Sequence, residues 1–486
     1  MSVLSGLEPA SVFGYFEEIC SIPHGSRDTK KISDYLAGFA KDRGLFCIQD
    51  EANNIIIRKP GSAGRESEPT VIIQGHMDMV CEKELDCDID FTTDGLRLMI
   101  VDGMITADGT TLGGDDGIAV AYALAILDSD TISHPPLEVV ITVDEEIGML
   151  GAAALDMSLL KGRRFLNIDS EDEGHLLVSC AGGATAAMHF PVSRETAAGD
   201  VYKIGVSGLV GGHSGVEIHK GRANADIVLA GILKSALAAD DGMRIISLQG
   251  GLKDNAIPVR SEALIVSDKE AEIKNAVNLV FTELKQKYAD TDPDMDIVVE
   301  KADAAEMLPL DAACNKAFIE AFNKVPDGVI AMSEDIEGLV QTSLNLGIMT
   351  TAESEITLSF CVRSSVNAEK DELLDRLAGI VRDFGGDLSI DGEYPAWEYR
   401  KDSQLRDVMT SLYEEMFNKP MVVEAIHAGV ECGLFADALE GLDAVSFGPD
   451  IHDIHTPKEA LDIASVQRTW EYLLKVLEWH SGTGSE

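Results

Sequence analysis

Imidazoles and carboxylates stand at short spacing in five places along this chain. His76 and Asp78 are two apart in "VIIQGHMDMV", and Asp115 and Asp116 adjoin in "DGTTLGGDDG". Asp144, Glu145 and Glu146 follow one another, Asp169 sits in "NIDSEDE", and His452 and His455 lie in "GPDIHDIHTPKEA". Each cluster alone has an ordinary explanation. An H-x-D is commonly a surface turn. "DGTTLGGDDG" reads as a turn with a helix N-cap, because Asp favours caps and Gly permits unusual dihedrals. Adjacent acids are usually solvated, and "HTPKE" suits a helix start with Thr456 as N-cap, Pro457 at N1 and Glu459 at N3. The five together suggest something else. Carboxylates that converge repel one another, and no comparable set of Lys or Arg accompanies them. A pair of divalent cations fits. Zinc takes His nitrogen and carboxylate oxygen at about 2.0–2.2 Å. Two metals about 3.5–4 Å apart can share one carboxylate and one water, which becomes hydroxide near neutral pH. A further carboxylate near that water can act as general base.

The elements around these clusters would place them together. Apolar runs at 54–59, 70–75, 137–143 and 164–169 read as strands, and 117–129 reads as a helix. Helical patterns open the chain near 8–20 and 27–43. Residues 96–108, with Asp102–Gly103 between apolar flanks, give a hairpin signal. Strands alternating with helices predict an α/β layered domain with a mostly parallel central sheet. In open α/β sheets ligands bind outside the carboxyl ends of the strands, and each cluster falls at or near such an end. After residue 186 the style changes. Runs at 201–207, 262–268, 295–301 and 354–363 alternate more strictly, with helices near 222–239, 270–288, 310–324 and 367–383. This predicts an α+β domain with an antiparallel sheet, inserted over 186–390. The first style returns with a helix at 403–417, strands at 421–426 and 443–448, and a helix at 464–480. The catalytic domain is thus read as 1–185 and 391–486.

Composition excludes several classes. The chain has 486 residues, 39 Lys plus Arg and 84 Asp plus Glu, a formal net charge of −45. Such a field repels phosphate backbones and anionic lipid, so neither nucleic acid nor membrane is expected as a partner. No apolar run nears the roughly 20 residues that span a bilayer. The first residues lack a basic stretch followed by a long apolar one, so no secretory leader is expected. The eight cysteines show no C-x-x-C and read as reduced thiols of a cytoplasmic protein.

The motifs "GHMDMV", "DGTTLGGDDGIAVA", "TVDEEIGMLGA", "NIDSE", "GGHSG", "NAIP" and "HTPKEAL" occur in the order typical of the dinuclear zinc peptidases. The chain resembles this family, which includes glutamate carboxypeptidases, aminoacylases and carnosinase-like dipeptidases, over nearly its whole length. The resemblance implies two Zn²⁺ per subunit, with Co²⁺ or Mn²⁺ as substitutes. His76 and Asp169 would hold one ion, Glu146 and His455 the other, and Asp115 would bridge them. His455 is preferred to His452 because the Thr-Pro-x-Glu tail belongs to the family's ligand. Asp78 would bind the free ring nitrogen of His76. Glu145 would be general base to the metal-bridging water, then acid to the leaving amine. A cis peptide is expected at Asp115–Asp116. The inserted domain resembles the family's lid, which implies a homodimer through it and leaves open which subunit His213 serves. His213 matches the oxyanion-steadying histidine. "GLVGGHSG" lacks the Lys–Ser/Thr ending of a phosphate loop. Asn255 and Arg363 match substrate contacts, with Arg363 suited to a peptide carboxylate. "HAGVECG" lies where relatives line the pocket, offering His427 and Glu431. The implied activity is hydrolysis of unblocked dipeptides, Xaa-His among them. The alternatives are an N-acyl-amino-acid deacylase, another peptidase on the same scaffold, or a metal-dependent binding protein without catalysis.

Overall fold

The structure is a computed structural model that describes residues 2–303, 305 and 307–480. It divides into two compact units, one built from 1–180, 397–425 and 430–486, the other from 181–396 and 426–429.

The first unit holds an eight-stranded sheet among the described residues. Its spatial order is Phe46–Gln49, Ile55–Lys59, Leu137–Thr142, Val71–His76, Arg164–Asn167, Asp443–Ser446, His175–Cys180 and Val422–Ile426. The four middle strands run parallel, and the flanking pairs at Phe46–Gln49, Ile55–Lys59 and His175–Cys180 are antiparallel. All six residues of Val71–His76 and of Leu137–Thr142 are buried. Strands covered on both faces need continuous apolar runs rather than alternation, and the sequence supplies them. The helix Gly114–Asp128 is buried almost all round and packs on Val71–His76 and on the helix Ala10–Cys20. A second, four-stranded sheet joins Ile451–His452, Ala460–Asp462, Met104–Ala107 and Leu98–Val101. Its hairpin turns at Asp102 (φ 51°) and Gly103 (φ 85°), the positive dihedrals a two-residue loop demands.

In the second unit, among the described residues, nine antiparallel strands form one sheet. Alternate residues such as Ala186, Met188 and Phe190, or Tyr202, Ile204 and Val206, meet helix residues Leu229, Leu233, Phe318 and Leu377 in one core. The strand Gly182–Pro191 pairs along its length with Glu355–Ser364 and also with Asp387–Tyr394. The unit therefore extends to 181 and 396, a few residues outside the 186–390 segment read from sequence. The short piece 426–429 joins it because Ala181 N–H donates to the carbonyls of Ile426 (3.2 Å) and Ala428 (3.0 Å).

Candidate metal centre

Three parallel strands end at one level, and each is followed by acidic or imidazole side chains. His76 closes its own strand. Thr142 closes the next, and the chain then turns through Asp144 (φ 54°) to Glu145 and Glu146. Asn167 closes the third, two residues before Asp169. Asp115 lies at the start of the helix Gly114–Asp128, next to a cis peptide to Asp116. His455 (φ 59°) sits with Asp453 (φ 52°) in the loop between Ile451–His452 and Ala460–Asp462. No helix starts at Thr456. Residues 456–459 form a turn, and the helix begins at Ile463 with Asp462 as its cap.

The Asp115 carboxylate faces two ways. Its Oδ1 lies 3.1 Å from His76 Nε2, which is also 3.4 Å from Asp169 Oδ1. Its Oδ2 lies 3.3 Å from His455 Nε2, which is 2.9 Å from Glu146 Oε2. The structure thus brings together His76, Asp115, Glu146, Asp169 and His455. His452 is exposed and pairs through its backbone with Ala460. Nδ1 of His76 meets the main-chain carbonyl of Asp78 at 2.9 Å, while the Asp78 carboxylate stands off at 3.5 Å. A carbonyl only accepts, so Nδ1 carries a proton, and Nε2 is the ring nitrogen turned to the centre, where burial is outweighed by Asp169, Asp115 and Asp78, which raise the ring's proton affinity. The Asp78 carboxylate itself accepts from Ser26 Oγ (2.8 Å) and from the Glu145 N–H (3.1 Å). It is anchored more closely to the Glu145 backbone than to the ring that sequence reasoning gave it.

Electrostatics mark this cluster as short of positive charge. Burial pushes Asp169 up to about 6, opposed by His76 and reinforced by Asp115 and Glu146. Burial also raises Glu145 well above the usual carboxylate range, with Asp169, Glu431 and Glu146 adding to the rise. Loss of water around its carboxyl, with Asp115 and Asp169 nearby, raises Glu171 to about 7, although the residue as a whole is exposed. Asp115 moves the other way, because its two imidazole partners outweigh its burial. The carboxylates hold His455 up at about 10. Among the described residues no Lys or Arg pairs with any of the five converging groups. Two imidazoles, which a cation would have to strip of their extra protons, and three carboxylates, one of them open to both sides, form a donor set that suits hard-to-borderline divalent cations.

Gln74, Thr142 and Asn167 went unread in the sequence, and Asp116 was read only as a member of its acidic cluster. Asp116 is fully buried, and its Oδ2 accepts the His76 N–H at 3.1 Å. Ligand atoms of His76, Asp116 and Asp169 lie within 4.8 Å of one another, as do those of His76, Asp115 and Glu146. The adjacency "DD" was the available signal. Below the centre, Glu431 is wholly buried and accepts from Gln74 Nε2 (2.5 Å) and Thr142 Oγ1 (2.7 Å), while Asn167 Nδ2 donates to Gln74 Oε1 (2.6 Å). Gln74, Thr142 and Asn167 are on the strands that lead to the ligands. Glu431 therefore ties these strands together from within rather than offering a surface to substrate, as the sequence reading had it.

The remaining expected residues lie in the second unit. The two-residue strands Gly212–His213 and Ala256–Ile257 pair, which joins the "GGHSG" and "NAIP" motifs. His213 Nδ1 accepts from the N–H groups of Gly215 (3.1 Å) and Val216 (3.2 Å), leaving Nε2 as the donor. Asn255 is exposed, and its carbonyl accepts from Ser214 N–H at 2.9 Å. Arg363 is 8% exposed, with Nη1 3.2 Å from the Tyr394 hydroxyl. His427 is buried, its Nε2 2.7 Å from Ser343 Oγ.

This arrangement of sheet, strand-end donors and bridging carboxylate defines a metallopeptidase centre, and the chain belongs to the peptidase family M20/M25/M40, which it matches over residues 72–479. It is 36% identical over 482 residues to the cytosol non-specific dipeptidase of Escherichia coli (strain K12), covering 98% of this chain and 99% of that one. Its structure is similar to that of the aminoacylhistidine dipeptidase from Vibrio alginolyticus, with a TM-score of 0.92, 35% identity, and 98% and 97% of the two chains covered. The aminopeptidase PepT from Bacillus cereus shares the fold alone, at 16% identity and a TM-score of 0.57, over 97% and 98% of the chains.

Proposed function

We propose that this chain is a dipeptidase that works with two zinc ions, replaceable by Co²⁺ or Mn²⁺, on unblocked dipeptides that include Xaa-His. The observation that carries this reading is the two-sided Asp115 carboxylate, with His76 and Asp169 toward one oxygen and His455 and Glu146 toward the other. Those five residues would hold the pair of ions, which would polarise a scissile carbonyl and acidify a water. Glu145 takes the proton from the attacking water and returns it to the leaving amine. Its burial among other acids raises its proton affinity, as a group that must accept and then donate near neutral pH requires. Asp78 holds the Glu145 backbone and lies beside the His76 ring. In the second unit, His213 with its free Nε2–H suits a developing oxyanion, and the buried Arg363 suits a free peptide carboxylate. Asn255 and His427 are proposed as further substrate contacts. Oligomerisation through this lid unit and a cytoplasmic location are part of the same proposal. Among the described residues no helix is long and apolar enough to cross a membrane, and all eight cysteines are free thiols.

The test is metal analysis with a substrate panel of free dipeptides, N-acetylated amino acids and longer peptides, each with and without chelator. Two ions per chain and chelator-sensitive turnover of free dipeptides are expected. Faster hydrolysis of N-acetyl substrates, or fewer than two tightly held ions, would overturn the reading.

A further inference from the structure

Glu459 follows the ligand His455 by four residues and is 3% exposed. Its carboxylate accepts hydrogen bonds from four successive main-chain N–H groups of a loop more than three hundred residues earlier. Oε2 takes Leu112 (2.8 Å) and Gly113 (3.1 Å), and Oε1 takes Gly114 (2.7 Å) and Asp115 (3.4 Å). These N–H groups lie in the loop and the kinked, non-helical turn (Asp115 ψ 105°, Asp116 ψ 31°) that lead into the regular helix after Asp116, and Gly113 supplies no side-chain bond there. Successive main-chain N–H groups turned to one side form a concavity that favours negative charge, so a distant carboxylate here satisfies donors that the local sequence leaves open.

The placement links two metal-ligand segments. Glu459 closes the turn 456–459 and passes directly into Ala460–Asp462, which is pinned to Met104–Thr106 by strand pairing. The loop carrying His455 is therefore fastened on one side to a sheet and on the other to the loop carrying Asp115. A cap needed only for the helix could come from any neighbouring Ser or Asp. Here it comes from the same loop as His455, whose Nε2 lies 3.3 Å from Asp115 Oδ2.

We propose that Glu459 is a positioning residue that sets the distance between His455 and Asp115, and so fixes the affinity of the half-site formed by Asp115, Glu146 and His455. The inference rests on the two-ion reading above. The expected effect follows from outer-shell changes in general, which weaken metal binding about 10- to 100-fold. Glu459→Gln keeps the volume but turns an amide NH₂ toward one pair of N–H donors. Glu459→Asp keeps the charge on an arm one methylene shorter.

The experiment titrates metal-depleted full-length protein with Co²⁺, follows the visible absorption of each bound equivalent, and records far-UV circular dichroism and Tm alongside. Wild type should take two equivalents. If it does not, the two-ion reading fails, independently of Glu459. In Glu459→Gln one equivalent should weaken at least about tenfold with an altered spectrum, while the other weakens far less. Glu459→Asp should show the same selectivity in milder form, and it decides the matter if Glu459→Gln does not fold. Two ions bound with wild-type affinities and spectra in both variants would overturn the proposal. So would equal weakening of both ions in step with a fallen Tm, since that is what a purely structural cap would give.

Discussion

Asp226 offers a quantitative test of how burial acts on a carboxylate in the second unit. It lies in the first turn of the helix Ala225–Ala239, is fully buried, and packs its Oδ1 so tightly on the strand residue Gly250 that a Cβ there would come within 1.7 Å of it. Among the described residues neither of its oxygens finds a hydrogen-bond donor in good geometry. Burial pushes it from an ordinary 3.8 up to about 7, with the Ser261 hydroxyl opposing and Asp327 adding to the rise. A rise of that size corresponds to about 4 kcal/mol at most. The helix start favours the anion by up to about 2 kcal/mol, so about 2 kcal/mol is a realistic net effect. The sign follows from linkage. The folded state keeps a proton that the unfolded state releases, so stability is highest below pH 4, falls as pH climbs toward 7, and is level above. Asp226→Asn removes the ionisation. Relative to its effect well below pH 4, it should stabilise by about 1 kcal/mol at pH 4.5 and by about 2 kcal/mol at pH 8. The assay is hydrogen exchange of the amides in Arg244–Gly250 and Ser261–Ser267, corrected for intrinsic rates, in the metal-loaded protein. Protection in the variant relative to wild type should rise about 5-fold between the two pH values. An unchanged ratio, or a variant less protected at pH 8, would refute the argument that desolvation dominates at this site.

Three further outcomes are expected. Glu145→Gln should lower kcat by about 10²- to 10⁴-fold while metal content, read by elemental analysis, stays at the wild-type level. Arg363→Lys should raise KM for dipeptides with a free C-terminal carboxylate more than for their amides, because the planar two-pronged donor is lost; steady-state kinetics on matched pairs would show it. Chelation should abolish turnover and lower the thermal midpoint, since ligand removal leaves the carboxylates around Asp115 to repel one another, and adding Zn²⁺, Co²⁺ or Mn²⁺ should restore both.

The sequence carried the parallel centre of the first unit because strands covered on both faces must be continuously apolar, as Val71–Ile73 and Val139–Ile141 are. It carried the placement of His76 and Asp169 because they end or closely follow such strands. The antiparallel flanks were less legible, since a strand such as Phe46–Gln49 is half exposed and short. The boundary at 186, drawn where alternation becomes stricter, fell inside the strand Gly182–Pro191, whose small residues pack beneath neighbouring strands and the Tyr394 ring. Glu431 and Glu459 show the deeper limit. The type of an acid does not say which way it faces. Glu431 turns inward onto Gln74 and Thr142, and Glu459 finds its partners 344 to 347 residues away. The choice between His452 and His455 likewise depended on a motif, because alternation alone gave both residues a claim.

The backbone at His455 has a bearing on engineering. A non-glycine residue in the left-handed region forfeits about 1 kcal/mol or more, and His455 and Asp453 both sit there. Glycine at either position would relax the loop, but at 455 it would also delete a proposed metal donor and with it the stability that a bound ion supplies. Selection for heat tolerance alone would therefore accept glycine at 453 and reject it at 455.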